Sequence, residues 1–323
     1  MPRRVRSLPR RRARPLAVVG VVAIGLVAAA CAPAPPSAPV YDSACSGTLV
    51  ASTPGTVAAN TLTELSGLAA SRGDAGVWWG HNDSISNSNE DLKLFAIGDD
   101  GRNYAEFTLT GAANVDWEDI AVGPGPAPGV NYVYVGDIGD NAKARGSIVI
   151  YRFPEPAVNT GSTGVTSSIT AFDTFTFTYP DGPHDAEALI VDPATGDLFV
   201  VTKEVSGNAQ VFRAPANAAS GALTQAATIS LGFLHAITAG DVTAAGDVVA
   251  LRSYWTVFLY PRPAGTPLTD AFTQPVCFGG TPAATISVNP EPQLESIAFT
   301  PDGRGYVTAA EGAHPTLHRF TAP

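Results

Sequence analysis

A short pattern recurs along this chain, and it restricts the possible folds more than any other feature. Each full copy is a glutamate, an apolar run and a proline six positions after the glutamate, and the copies begin at Glu118, Glu187 and Glu295. Two weaker copies place Ser66 and Thr238 at the glutamate position. Sequence units that repeat in this way are typical of propellers and other repeat folds.

Each copy is followed by short runs rich in β-branched and aromatic residues, separated by Gly, Pro and Asp, which is the pattern of strands and turns. The second runs span residues 76–80, 132–136, 198–202, 248–251 and 305–308; the third span residues 93–97, 147–153, 209–214, 257–261 and 316–320. An outer run such as residues 173–179 closes a unit. Four strands in each of five units predict an all-β fold, a β-propeller with five four-stranded blades.

The last unit is short, because the chain ends soon after Glu295 and leaves room for only three strands. Its fourth strand must come from the N-terminal part of the chain, within residues 47–60, and this closure leaves no edge strand exposed. Cys45 precedes that strand, and Cys277 lies in the outer part of the preceding blade. An isolated cysteine pair in an exported chain is more often a disulfide than a metal or catalytic site, so we predict a Cys45–Cys277 bond.

The N-terminal residues 1–30 resemble an export signal, with an arginine-rich start and an apolar run at residues 16–30 that is too short to span a bilayer. Residues 27–31 resemble a bacterial lipobox, which predicts a lipidated Cys31; the alternative is ordinary cleavage with Cys31 discarded. Residues 31–40 form a Pro-rich tether, and residues 41–323 form one propeller domain. We therefore expect an extracytoplasmic protein, anchored to the outer face of the cell membrane or secreted.

Charge narrows the possible partners. Without the leader, 12 basic and 29 acidic side chains remain, a net charge of −17. Such a surface repels phosphate backbones, which excludes nucleic-acid binding, and it favours cations. We expect a monomer that touches the membrane only through its lipid anchor; the sequence does not identify the small molecule or envelope ligand.

The first strand of each blade lines the channel of a propeller, so Glu118, Glu187 and Glu295 should point to one axial site, with Glu64 and Asp241 nearby. Two carboxylates about 5 Å apart repel by roughly 3 kcal/mol at an effective dielectric constant of 20. A cation, shared protons or hydrogen bonds must offset this repulsion. Oxygen ligands favour Ca²⁺ first and Mg²⁺ second. The alternative is that each glutamate accepts backbone N–H bonds from the next blade and serves only the structure.

The second strands end in polar residues that should open onto the same face and form a pocket rim. The candidate catalytic residues there are His81, Asp83, Asp137, Lys203, Glu204, Arg252 and Glu311. Lys203 and Arg252 would hold an anionic group of the substrate, and His81 would act as a general base. The alternative is that these are solvated loop charges and a structural histidine.

Several motifs resemble those of bacterial exported β-propellers that are described as phytase-like, esterase-like or WD40-like. They are residues 64–68, 81–84, 116–121, 136–141 and 151–156, and the resemblance covers residues 60–312. It implies the propeller fold and an axial metal held by acidic residues. The chain lacks the dense Lys/Arg cluster expected for a polyphosphate substrate, and it also lacks G-x-S-x-G, H-E-x-x-H, C-x-x-C and P-loop motifs.

These patterns predict a lipid-anchored propeller with an acidic cation-binding pocket at the channel mouth, which hydrolyses phosphoester, ester or lactone substrates with the help of the metal. The alternative is a non-catalytic envelope scaffold with a structural ion. In an enzyme, Lys203 and Arg252 should be unpaired and face the axis. In a scaffold, they should form salt bridges with the acidic ring.

Overall fold

The computed structural model describes Met1 and residues 38–83, 92–280 and 294–323. The predicted signal peptide, Cys31 and most of the tether lie outside these residues. No helix within the described ranges is both long and apolar enough to cross a membrane.

The fold is an all-β propeller. Its elements in chain order are helix α1 (Pro39–Ser46) and strands β1 (Val50–Thr56), β2 (Leu65–Ala70), β3 (Val77–Asn82), β4 (Lys93–Gly98), β5 (Asn103–Leu109), β6 (Trp117–Pro124), β7 (Asn131–Asp137), β8 (Ile148–Pro154), β9 (Val165–Ile169), β10 (Asp173–Thr178), β11 (Ala186–Val191), β12 (Leu198–Thr202), β13 (Asn208–Ala214), β14 (Gly221–Ala222), β15 (Thr224–Ser230), β16 (Ile237–Val242), β17 (Val248–Ser253), β18 (Val257–Pro261), β19 (Cys277–Gly279), β20 (Leu294–Phe299), β21 (Gly305–Ala310) and β22 (Thr316–Thr321). A 3₁₀ helix, Leu268–Thr273, precedes β19.

These strands form five sheets, which confirms the predicted five-bladed propeller. Blades 1 to 5 are β2-β3-β4-β5, β6-β7-β8-β10, β11-β12-β13-β15, β16-β17-β18-β19 and β20-β21-β22-β1, each antiparallel. The short strands β9 and β14 extend blades 1 and 2 in parallel. Neighbouring inner strands contact each other around the ring, and β20 contacts β2.

The burial of the strands explains why the chain folds this way. Every residue of the inner strands β2 and β11 and of the second strands β17 and β21 is buried, whereas the outer strand β10 alternates between buried and exposed residues. Strands buried on both faces read as continuous apolar runs, and half-exposed strands alternate. Between blades 1 and 2 the core contains Trp79, Trp117 and Phe153, and between blades 2 and 3 it contains Tyr134 and Phe212.

The N-terminal part of the chain closes the ring, as predicted. Strand β1 pairs antiparallel with β22, from Val50 opposite Thr321 to Thr56 opposite Thr316. The predicted disulfide is also present, with the Cα atoms of Cys45 and Cys277 4.9 Å apart. The helix α1 packs on β18 and β19 of blade 4.

The ordered propeller begins within the stretch assigned to the tether, because Ala38 and Val40 are buried against blade 4. All five blades, the closing strand and the disulfide lie within residues 38–323, so we expect this segment to fold by itself.

All five inner strands share one irregularity. The pairing register between inner and second strand shifts at Leu65/Leu68, Trp117/Asp119, Ala186/Ala188, Ile237/Ala239 and Leu294/Ser296. The bulged positions are therefore Ser66 with Gly67, Glu118, Glu187, Thr238 and Glu295, which are the repeat positions found in the sequence. A β-bulge redirects a side chain out of the regular alternation, so the repeat encodes five side chains at one end of the hub.

Candidate metal centre

Two groups of carboxylates meet at the end of the hub where inner strands begin and second strands end. Asp83, Asp116 and Glu118 each offer an oxygen within 4.8 Å of the others, and so do Glu118, Asp185 and Glu187. Glu118 belongs to both groups. The acidic cluster therefore draws on blades 1, 2 and 3, and it could hold an ion.

The second group lies away from water, since Glu118, Asp185 and Glu187 are all at most 5% exposed. Oε1 of Glu187 accepts a hydrogen bond from Lys203. Its other oxygen, Oε2, is buried without a hydrogen-bond partner among the described residues. A buried polar atom that has lost water and found no donor costs about 1–3 kcal/mol, which makes this oxygen an available ligand atom.

A glycine borders the cluster at the loop after β7. A Cβ on Gly139 would lie 2.5 Å from Oδ2 of Asp116, so no larger residue fits beside that carboxylate. The loop is fixed by Arg145, which donates to the Gly139 carbonyl at 2.7 Å and forms an ion pair with Asp137 at 2.8 Å. Asp137 also accepts the backbone N–H groups of Val115 and Asp116. The predicted catalytic residue Asp137 thus positions the Asp116 ligand.

Burial controls the protonation of these acids. It raises the pKa of Glu118 well above its ordinary value, and the neighbouring Glu187, Asp83 and Asp116 raise it further. Burial also raises the pKa of Glu187 to about 8, although Lys203 opposes the shift. For Lys203, burial lowers the pKa, but the adjacent Glu187 outweighs it and the pKa is raised. Without a cation, Glu118 and Glu187 therefore keep their protons to higher pH than ordinary glutamates do.

We expect the cation-free protein to lose stability as pH rises. Glu187 has a folded-state pKa of about 8, above its ordinary value of 4.5, so the native state binds a proton that the unfolded chain has released between those values. The free energy of unfolding should fall by about 2 kcal/mol or more between about pH 5 and pH 8. Chemical denaturation at several pH values in a chelator measures this slope. Saturating Ca²⁺ should flatten it, and a stability that rises with pH in chelator would contradict the protonated cluster.

Glu295 belongs to neither group, but it lies close enough to Glu187 for that carboxylate to contribute to its raised pKa. Burial raises the pKa of Glu295 to about 10, and a hydrogen bond with the side chain of Glu311 adds to the shift. Glu64 lies near Glu311, and its pKa is also raised, first by burial and then by that neighbour. Glu295 therefore keeps its proton at neutral pH and is hydrogen-bonded to Glu311.

Two aspartates, the buried Asp119 and the partly buried Asp241, connect the blades. Asp241 accepts the N–H groups of Val242 at 2.8 Å and of Phe299, in blade 5, at 2.7 Å. Burial raises the pKa of Asp241 to about 6. Asp119 accepts N–H groups from its own blade and from the next two, at Ile120, Leu189 and Gly240. Backbone N–H bonds between blades were one alternative predicted for the repeat glutamates. Here aspartates accept such bonds, and Asp241 is one of them.

The other candidates differ in their surroundings. His81 is fully buried against Trp117, and burial lowers its pKa to about 4, so it is neutral at physiological pH. Glu204 forms an ion pair with Lys143 at 2.8 Å on the rim. Arg252 is buried, and its Nε donates to the Leu294 carbonyl at 3.0 Å.

Lys203 is bound to the acidic ring. It forms an ion pair with Glu187, and its Nζ lies 5.3 Å from the centroid of the Tyr254 ring. Of the two outcomes considered for Lys203, the structure shows the ion-paired one.

Sequence analysis missed Asp116 and Asp185 as members of the cluster. Each stands two positions before a bulged glutamate, as Glu64 stands two positions before Ser66. An acidic residue at this position in three of the five units was the available signal.

Comparisons with known proteins add little. No family model matches the chain, and no curated protein matches it. Among solved structures, a gluconolactonase from Xanthomonas campestris is similar over 87% of this chain and 92% of that one, with a TM-score of 0.43 and 11% sequence identity. A likeness this low carries no information about the chemistry of the site.

Proposed function

We propose that this protein is an exported, lipid-anchored propeller whose hub binds a divalent cation and hydrolyses ester, lactone or phosphoester bonds with its help. The ligands would be Asp83, Asp116, Glu118, Asp185 and Glu187. One observation carries the proposal. Two sets of three acids share Glu118, and one buried oxygen of Glu187 in this cluster has no hydrogen-bond partner among the described residues.

The donor set supports Ca²⁺ as the first choice and Mg²⁺ as the second. All the ligand atoms are carboxylate oxygens, which hard cations prefer. Ca²⁺ accepts six to eight oxygens in flexible geometry, whereas Mg²⁺ requires a near-ideal octahedron and keeps several waters. A wide cluster drawn from three blades fits the larger ion better.

The bound ion would polarise the scissile carbonyl or phosphoryl group and favour ionisation of water. The side chains of the propeller would supply the proton transfers. Asp83 is only partly buried, unlike Glu118, and it would accept the proton of the attacking water. The proton that Glu295 keeps would go to the leaving oxygen. Lys203 remains charged and would attract the anionic end of a substrate.

The second candidate function is a non-catalytic scaffold with a structural ion. One observation favours it: Lys203 is already engaged by Glu187, so it is less available to a substrate. In that case, the blade loops would form the interaction surface and the cation would only stabilise the ring.

Activity and melting measured together separate these candidates. We expect the segment 38–323 to hydrolyse at least one of a panel of aryl esters, lactones and phosphoesters in Ca²⁺, and not in chelator. Its melting temperature should rise with Ca²⁺ concentration, because a ligand that binds only the folded state stabilises it by mass action. A rise in melting temperature without turnover would support the scaffold. If Ca²⁺ and Mg²⁺ changed neither quantity, the cation site itself would be refuted.

A further inference from the structure

Large apolar side chains are exposed together on the surface of blades 3 and 4. The aromatic patch is defined here as Val205, Phe233, Leu234, Trp255 and Phe278, which are 53% to 74% exposed. They lie on the turn after β12, the loop before β16, the turn after β17 and the strand β19. Trp255 and Phe278 border a groove of about 470 Å³, which is also lined by His235, the neighbour of Leu234 in sequence. Contiguous exposed apolar surface of this kind marks an interaction site.

The backbone holds part of this patch outward. Leu234 has a φ of 71°, in the left-handed region that a branched side chain rarely adopts, and its N–H donates to the Val205 carbonyl at 2.9 Å. Such a conformation persists only where the surroundings enforce it, and it is concentrated at functional positions. The loop is therefore fixed with its leucine and its phenylalanine towards solvent.

The patch lies in the least acidic part of the chain, although Glu204, which pairs with Lys143, directly precedes Val205. Residues 205–290 contain three acids, Asp241, Asp247 and Asp270, and three arginines, so they carry no net charge. The rest of the chain after the leader accounts for the whole net charge of −17. An anionic surface such as a bacterial membrane repels this part of the chain less than the acidic remainder.

The N-terminal chain leaves the propeller at the same blade. The helix α1 packs on β18 and β19, and Cys45 is bonded to Cys277, the neighbour of Phe278. Seven peptide units separate Cys31 from Ala38 in the sequence, and an extended chain of that length spans at most about 25 Å. A lipid on Cys31 would therefore restrict blade 4 to the immediate vicinity of the bilayer.

We propose that the aromatic patch docks on the lipid bilayer, so that the propeller lies against the membrane with blades 3 and 4 and does not hang free on its tether. Aromatic side chains are favoured at the membrane–water interface. The tether argument uses the proposed lipid anchor, but the patch and its charge do not. The sequence alone suggested the lipid anchor as the sole membrane contact. The proposed docking adds a second contact, made by the protein surface.

The chain carries its own reporter for this docking. Of its four tryptophans, Trp78, Trp79 and Trp117 are at most 2% exposed, whereas Trp255 is 65% exposed. We expect brominated phosphatidylcholine vesicles to quench the emission of Trp255 in the segment 38–323, which has no lipid anchor. The double substitution Phe233→Ser/Phe278→Ser keeps the reporter and should lower the vesicle partition coefficient at least tenfold.

Val130→Ser/Val165→Ser is the matched control, since these two valines are 39% and 47% exposed and lie in other blades; we expect it to partition like the unaltered segment. Equal loss in both double variants, or no quenching at all, would overturn the proposal. A dimer that the Phe233→Ser/Phe278→Ser substitution dissociates in sedimentation would also overturn it, because a second copy would then cover the patch. The vesicle assay is run in chelator, so its result does not depend on the cation or on the hydrolysis.

Discussion

Replacement of Glu118 by glutamine is expected to lower the Ca²⁺ affinity of the segment 38–323 by a factor of about 100 or more. Glu118 is the one carboxylate that belongs to both ligand groups, so its loss removes a charge from each. Loss of groups that only support a ligand already lowers metal affinity 10- to 100-fold, and loss of the ligand itself should exceed this. Isothermal titration of Glu118→Gln with Ca²⁺ measures the change.

The same substitution should stabilise the cation-free protein at high pH. Burial raises the pKa of Glu118, so the folded wild type must keep a proton that the unfolded chain releases above its ordinary pKa. Glutamine needs no proton, and its advantage in the free energy of unfolding should therefore be near zero at about pH 5 and grow as the pH rises. This variant should therefore bind Ca²⁺ more weakly and yet be more stable in chelator. General damage to the fold would instead lower both the Ca²⁺ affinity and the stability.

Two control variants complete this experiment. Glu106→Gln removes the same charge from an acid that pairs with Lys93 on blade 1, and it should leave the Ca²⁺ affinity within about threefold. Glu295→Gln tests whether the ion uses all three repeat glutamates or only those of blades 2 and 3. A loss of affinity as large as that of Glu118→Gln would place Glu295 among the ligands and contradict the grouping proposed here.

The repeat made the architecture predictable because it marks the β-bulge in the inner strand of each blade. The inner strands are buried on both faces, so they appear in the sequence as apolar runs, and the Gly and Pro turns separate them. The closing strand followed from counting strands, since the last unit was one short. The position of Cys45 beside Cys277 then followed from the closure.

The details of the hub were less predictable because they depend on the bulge. A repeated glutamate indicates that one side chain is redirected in every blade, but not which loop carboxylates it meets. Asp116 and Asp185 join the cluster from the residues just before β6 and β11, whereas Glu295 is hydrogen-bonded to Glu311 of its own blade. The role of Asp119 was missed for a similar reason: its partners Leu189 and Gly240 are distant in sequence.

The largest effect on stability should come from the disulfide. Cys45 and Cys277 are 232 residues apart in sequence, and a cross-link that closes so long a loop removes much of the entropy of the unfolded chain. In the chain-entropy model, a 100-residue loop already contributes about 4.7 kcal/mol, and measured values reach about 5 kcal/mol. We expect Cys45→Ser/Cys277→Ser to lower the free energy of unfolding by about 4 kcal/mol.

The location of the bond determines which part of the protein responds first. Strand β1 buries few of its residues, so burial alone holds the closing strand weakly on β22, and the disulfide fixes helix α1 just before it. Hydrogen exchange should therefore show loss of protection first in Val50–Thr56, ahead of the inner strands. Reduction of the unaltered protein should reproduce the effect, and reductant should leave the double serine variant unchanged. A loss below about 1 kcal/mol, or exchange that rises equally in every blade, would show that the ring closes without help from this bond.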